Sequence, residues 1–343
     1  VSDRLRVGVV GLGIGQAHLL AYVMAPELFE VVVIADADPA RRDRGASDWG
    51  IPAVDTLEQV LDHDLDVVDL CTPPALHETG CLAALDAGVH VICEKPLVAD
   101  LDALARLEAA ERVATGRLMP IFQYRFAPGI ARMKAVADAG MCGRLYLATA
   151  ETAWWRGDDY YAAPWRGTRA GEGGGAVFGH GTHAHDLLSF VAGPLTSIHG
   201  QVATRVNDIE TEDCATGFGT IADGGLVSMA VTLGSLREIT RLRFCFEHVT
   251  AESALDPYEP GNEPWTFDWA TPELATDAVE LWAAMPEAPS GFDGQLAAFH
   301  HAVTSGGPLP VTLADARRAL ELVVGWYRSA ETGRPVALPL APV

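Results

Sequence analysis

The chain has 343 residues, 49% hydrophobic and 20% charged, and its 24 basic against 46 acidic side chains give a formal net charge of -22. That length suits two domains rather than one core, and the composition excludes a disordered chain. The acidity argues against nucleic acid or an anionic membrane as partner, because phosphates are repelled over most of the surface, and plain solubility is its simplest meaning.

Six cysteines lie scattered without C-x-x-C spacing, so neither a zinc site nor a disulfide framework is expected. The start lacks the layout of a signal peptide, and no uncharged apolar run approaches the roughly 18 residues of a membrane span, which makes a cytoplasmic protein the expectation.

In chain order, Val7 to Val10, Val31 to Ala35, Val67 to Cys71, Val89 to Cys93 and Leu118 to Phe122 read as strands, with helical stretches such as Thr79 to Ala87 and Leu101 to Thr115 between them. Alternation of this kind predicts an α/β domain over residues 1–122, a doubly wound parallel sheet with right-handed crossovers. Ligands then sit at the carboxyl ends of the strands, so Gly11, Asp36, Thr72, Glu94 and Gln123 carry most weight.

Residues 123–343 read differently. Leu145 to Trp154, Leu195 to Val206, Asp213 to Ile221, Leu226 to Leu233 and Ile239 to His248 are strand-like with short turns, and Thr182 to Val191 and Phe292 to Thr304 are helical. The expectation is an α+β domain with a large, open, mostly antiparallel sheet. Residues 251–290, rich in Pro, Glu and Trp, read as a long irregular excursion, and Leu313 to Ser329 as a closing helix.

The first strand runs into Gly11-Leu12-Gly13-Ile14-Gly15 and a helix, and a second strand ends on Asp36, 21 residues after Gly15. Glycines let the backbone turn tightly and approach a pyrophosphate, while the helix N-terminus offers N–H groups and a positive dipole end. Asp36 has the reach to accept from the adenosine ribose hydroxyls, which favours NAD over NADP, although Arg41 and Arg42 soften that preference. The spacing is one residue shorter than G-x-G-x-x-G.

Glu94-Lys95-Pro96 places a carboxylate and an amine at a strand's carboxyl end. A lysine beside a bound cationic nicotinamide has its pKa lowered, as a general acid/base near neutral pH requires.

These segments, together with His18, Cys71-Thr72-Pro73-Pro74 with His77, Gln123-Tyr124-Arg125-Phe126 and Gly173-Gly174-Gly175 leading to Gly181-Thr182-His183-Ala184-His185-Asp186, resemble the Gfo/Idh/MocA oxidoreductases over nearly the whole chain. The resemblance implies a Rossmann domain followed by an open sheet whose outer face makes homodimers or homotetramers. It also implies hydride transfer between a nicotinamide cofactor and a secondary alcohol of a small-molecule sugar, cyclitol or related polyol.

Carried over by position, Gly11, Leu12, Gly13, Ile14 and Gly15 hold the pyrophosphate and Asp36 the adenosine ribose. Thr72, Pro73, His77 and Gln123 line the cofactor crevice, Glu94 binds the nicotinamide ribose, Lys95 meets the reacting hydroxyl, and Trp165 and Arg166 lie near the nicotinamide end. Lys95 and His183 are the expected catalytic pair. His180, Arg125, Tyr160, Trp165, Arg166 and Asp186 are expected at the substrate.

One departure stands out, for the family often places an aspartate where this chain has Gly179. His180 is the expected stand-in for that carboxylate. Three nearby histidines, His180, His183 and His185, with Asp186 also raise a metal, but their spacing does not converge three imidazoles on one point and hydride transfer needs none, so no metal is expected. Gly179 leaves open a non-catalytic NAD-binding sensor. A glycosidase or epimerase that oxidises its substrate transiently remains the other reading.

Overall fold

The computed structural model describes residues 4–341. Its contacts divide the chain into two units, residues 1–123 with 290–317 and residues 124–289 with 318–343.

The first unit is a six-stranded sheet of β1 (Leu5–Val10), β2 (Phe29–Ala35), β3 (Ala53–Val54), β4 (Val67–Leu70), β5 (His90–Cys93) and β6 (Leu118–Pro120), in the order β3-β2-β1-β4-β5-β6 with every pair parallel. Valine and isoleucine dominate because helices cover both faces, so the inner strands are buried along their length rather than on alternate residues. Strand order reverses between β1 and β4, the point at whose carboxyl ends doubly wound sheets place their ligands. The helices between the strands start where their sequences dictate. Asp38 caps Pro39–Trp49 with proline in the first turn, Thr56 and Gln59 form a capping box, and Asp100 accepts from the Ala103 N–H.

By sequence Phe292 to Thr304 falls within the second domain, but the helix Gly291–Ser305 belongs to the first unit. Gln295, fully buried, explains why. Its amide donates to the Pro120 carbonyl at 2.8 Å and accepts from the Phe122 N–H at 3.0 Å, occupying the free edge of β6 as another strand would. Arg117 adds a hydrogen bond of 2.7 Å to the Gly307 carbonyl.

The second unit is built on an eight-stranded sheet, ordered β13-β12-β11-β7-β10-β9-β8-β14. Its strands are β7 (Leu145–Trp155), β8 (Leu195–Ala203), β9 (Cys214–Ile221), β10 (Leu226–Thr232), β11 (Gly234–Phe246), β12 (Val249–Glu252), β13 (Thr266–Trp269) and β14 (Val336–Ala337). All pairs are antiparallel except β7 with β10. Burial alternates along β10, with Val227, Met229 and Val231 inward. Gly200 and Gly217 face each other across β8 and β9, and a Cβ on Gly200 would lie 2.3 Å from the Trp326 indole, so this fully buried ring sits against bare backbone.

Two expectations need correction. Residues 251–290 are not irregular, since they hold β13 and the helix Pro272–Ala283, which Thr271 caps with proline in its first turn. The eighth strand ends at Ala203 rather than Val206, because the Asp213 carboxylate takes the N–H groups of Arg205, Val206 and Asn207 away from the ladder. Among the described residues no helix is long and apolar enough to cross a membrane.

Replacing Gln295 with leucine strands the Pro120 carbonyl and the Phe122 N–H, so urea unfolding of Gln295→Leu is expected to show a loss of about 2–4 kcal/mol. A loss under about 0.5 kcal/mol contradicts the edge-capping role.

Candidate active site

In the first unit the glycine turn directly follows β1. Gly11 has a φ of 95°, and a Cβ there would lie 2.5 Å from the Cys71 carbonyl oxygen, so the turn demands glycine for both conformation and space. Gly15 packs closely on Cys71 and opens the helix Gly15–Met24, whose N-terminus no side chain caps. Above Gly13 the space is open, with no atom within 4 Å of where a Cβ would stand. Leu12 is buried while Ile14 is exposed.

Asp36, at the end of β2, holds this turn in place. Its carboxylate accepts from the Leu12 N–H at 2.8 Å, the Asp38 N–H at 2.8 Å and the Arg41 guanidinium at 3.2 Å on each oxygen. Burial opposes the charge, but these donors and the Arg41 cation prevail and keep the carboxyl below its usual range. The Arg41 side chain that shares this carboxylate is itself half-exposed.

Thr72 and Pro73 follow β4, and Glu94 and Lys95 follow β5. The Thr72 hydroxyl oxygen and the Gln123 side-chain oxygen are buried and lack a hydrogen-bond partner among the described residues. Orphaned polar atoms at the strand ends, open space over Gly13 and an uncapped helix N-terminus fit a dinucleotide's phosphates and hydroxyls. Glu94 is buried, with Oε1 3.1 Å from His18 Nε2 and Oε2 accepting from the Lys95 N–H at 3.0 Å. His77 differs from its expected place in the crevice: its two ring nitrogens lie 2.8 Å from the Pro96 and Thr72 carbonyl oxygens, which makes it a strut between the two turns. Burial lowers its pKa.

In the second unit Arg125 and Asp186, both expected at the substrate, form a buried bidentate pair with each other at 2.7 and 2.6 Å. The pair ties the turn carrying Tyr124 to the helix Thr182–Ala192, and the Tyr124 ring stacks on His183 with centroids 4.2 Å apart. His180 lies in the break between the short helix Ala176–Gly179 and the next, against Trp154 at 5.8 Å and Tyr160 at 5.5 Å. The histidines therefore stand on different aromatic supports. A Cβ on Gly179 would meet nothing within 4 Å.

Tyr160, Trp165 and Arg166 do come together. The Arg166 guanidinium lies 3.9 Å from the Tyr160 ring centre and 4.3 Å from that of Trp165, and it donates to the Tyr160 hydroxyl and to Glu172. Arg156 covers Trp154 and Tyr160 and pairs with Glu238 at 3.0 Å. Tyr124, Glu172 and Glu212 carry no expected role in the sequence, yet each supports this region. Glu212 accepts from the Gly175 and Val177 N–H groups and the Tyr327 hydroxyl, fixing the glycine run ahead of His180. No local pattern marks it, for its partners lie 35 or more residues away.

His185 stands apart from the other two, buried against Trp326 at 5.3 Å, with no hydrogen bond to either ring nitrogen among the described residues. Burial lowers its pKa to about 3. The unfolded chain therefore takes up this proton first, and stability falls as pH drops below about 6.5, by roughly 1.4 kcal/mol per unit until about 3. His185→Leu is expected to flatten that slope in chemical unfolding between about pH 7 and 5, and an unchanged slope contradicts the assignment. Gly13→Val should unfold within about 0.5 kcal/mol of the parent yet bind NADH at least about tenfold more weakly, as read by nucleotide fluorescence. Unimpaired NADH binding would place the pyrophosphate elsewhere.

Residues 5–122 match the family model of the Gfo/Idh/MocA oxidoreductases, described as an oxidoreductase family with an NAD-binding Rossmann fold, and residues 130–252 match the model of the family's C-terminal domain. Levoglucosan dehydrogenase of Pseudarthrobacter phenanthrenivorans is 30% identical over 239 residues, which are 65% of this chain and 60% of that protein. D-glucoside 3-dehydrogenase of Escherichia coli is 26% identical over 373 positions, covering 98% of each. The structure is similar to that of the WlbA dehydrogenase from Bordetella pertussis in complex with NADH and UDP-GlcNAcA, with a TM-score of 0.88 and 26% identity over 98% of this chain and all of that one. With its glycine turn, Asp36 and Glu94-Lys95-Pro96 at the ends of parallel strands, the chain belongs to the Gfo/Idh/MocA oxidoreductase family.

Proposed function

We propose that the protein is an NAD-dependent dehydrogenase that interconverts a secondary alcohol and a ketone on a sugar, cyclitol or related polyol. The observation that carries this reading is the shared strand-end placement of the open glycine turn and the Glu94-Lys95 pair in one parallel sheet. NAD supplies the hydride acceptor when bound. Gly13 and the uncapped helix end receive its pyrophosphate, Asp36 its adenosine ribose and Glu94 its nicotinamide ribose. Lys95 exchanges the hydroxyl proton as the carbon–hydrogen bond gives up its hydride, with His183 as second partner and His180 binding a further hydroxyl.

The substrate class follows from the charges and rings of the second unit. Arg125, Arg156 and Arg166 are each paired with a carboxylate, which suits a neutral polyol better than an acid. The half-buried Tyr160 and Trp165 rings are the proposed surfaces for sugar C–H groups. Leu147, Phe218 and Leu226 share the uncovered face of the eight-stranded sheet, the last two 61% and 55% exposed, and a second copy of the chain is the proposed cover, giving a dimer or tetramer. Free cysteines accord with a cytoplasmic setting, and no nucleic acid or membrane enters this reading.

A panel of sugars, sugar acids and cyclitols with NAD and NADP, followed at the nicotinamide absorbance band, tests the reading. Stoichiometric NADH accumulation with a neutral polyol is expected. Turnover without NADH points to a glycosidase or epimerase, and NAD binding without turnover to a sensor. Lys95→Ala should lower turnover by about 10²- to 10⁴-fold, and near-normal turnover refutes its role.

A further inference from the structure

Beneath the Glu94-Lys95 turn the first unit buries a row of ionisable groups that the proposed chemistry does not use. His18, on the helix that begins at the glycine turn, stands between Asp69 of β4 and Glu94 after β5, with Nδ1 2.8 Å from Asp69 Oδ2 and Nε2 3.1 Å from Glu94 Oε1. Tyr22 donates its hydroxyl to Asp69 Oδ2 at 2.8 Å, and the Cys71 thiol points at Asp69 Oδ1 from 3.5 Å. The Phe292 ring lies against the imidazole, with centroids 4.2 Å apart. Glu94 Oε2 takes the Lys95 N–H.

We propose that His18 is a positioning residue for the nicotinamide half of the site, an imidazolium clamped between Asp69 and Glu94 that holds the Glu94 carboxylate as an anion in one orientation. This rests on the reading of Glu94 as the nicotinamide-ribose ligand. Asp69 already accepts from Tyr22 and Cys71, so Nδ1 donates to it. That leaves two states for the other nitrogen, either Nε2–H facing a carboxylate or a bare Nε2 facing a protonated Glu94.

The surroundings select the ion pair. Burial disfavours charge on His18, yet the Asp69 charge and hydrogen bond prevail and raise its pKa well above the ordinary value. Burial likewise disfavours charge on Glu94, yet His18 and the Lys95 cation prevail and lower it. Burial pushes the Cys71 thiol up, so it remains a proton donor and a poor metal ligand.

A carboxylate buried without such a partner shifts toward the neutral acid, a hydrogen-bond donor rather than the acceptor that two ribose hydroxyls need. His18 lies three residues after Gly15, so one helix both presents its N-terminus at the pyrophosphate turn and carries the clamp on Glu94. The two ends of the cofactor site are thereby set in register.

NADH affinity measured by nucleotide fluorescence from about pH 8 to about pH 5.5 separates positioning from mere packing. The parent should bind with nearly constant affinity over this range. His18→Gln should weaken binding progressively as pH falls, by at least about tenfold across the window, because Glu94 protonates. His18→Gln with Glu94→Gln should bind weakly at every pH, with the slope gone. Should His18→Gln fail to fold, the triple variant His18→Leu, Tyr22→Phe, Asp69→Leu removes the clamp together with the Asp69 charge, leaves Glu94 as the group that titrates, and is read the same way, its slope matching that expected of His18→Gln. A flat profile in a folded clamp variant overturns the inference while leaving the nicotinamide reading intact. Failure of the parent to take up NADH defeats that reading, and this inference with it.

Discussion

A parallel sheet that reverses its strand order leaves two carboxyl ends without a shared neighbour, and the groups exposed there must find partners outside the ladder. In this protein most of them are met by buried side chains. Asp36 takes the Leu12 N–H, His77 spans the carbonyls of Thr72 and Pro96, and His18 with the Lys95 N–H holds Glu94. The polar atoms left over, those of Thr72 and Gln123, lie where a dinucleotide is expected. The strand ends are thus held by hydrogen bonds on the protein side, the kind of fixing that preorganised binding requires.

The second unit solves a different problem with the same means. His180 and His183 are carried on aromatic rings, and Arg125, Arg156 and Arg166 are tied to carboxylates. Glu172 and Glu212 sit in low-dielectric surroundings that push both up, and each caps backbone N–H groups in the segments around the glycine run. Fixed backbone near His180 and paired charges around Tyr160 and Trp165 accord with the proposed recognition of hydroxyl groups by geometry rather than by net charge.

Strand runs with both faces buried announce themselves as unbroken valine and isoleucine, which is why the first sheet and its glycine turn were legible in the sequence. The alternation along β10 was legible for the complementary reason, one face covered and one open. The place of the helix Gly291–Ser305 was not, because an apolar stripe states that a helix packs but not on what, and Gln295 makes its decisive contacts some 173 residues away. The same limit applies to Arg125 and Asp186, 61 residues apart, whose mutual ion pair no local spacing announces. By contrast Thr271-Pro272 is a local helix start that a composition rich in Pro and Glu obscured. His18 sat in plain view, three residues beyond Gly15 and so on the same helical face, but its partners come from β4 and the turn after β5.

In the proposed function the glycine turn and the Glu94-Lys95 turn grip the two ends of one dinucleotide. A crystal structure of the protein grown with NADH tests it most directly. The pyrophosphate is expected over Gly13 and a nicotinamide-ribose hydroxyl about 3 Å from a Glu94 carboxylate oxygen. A nucleotide bound with its nicotinamide ribose away from Glu94, or a glycine turn that stays empty at saturating NADH, contradicts it.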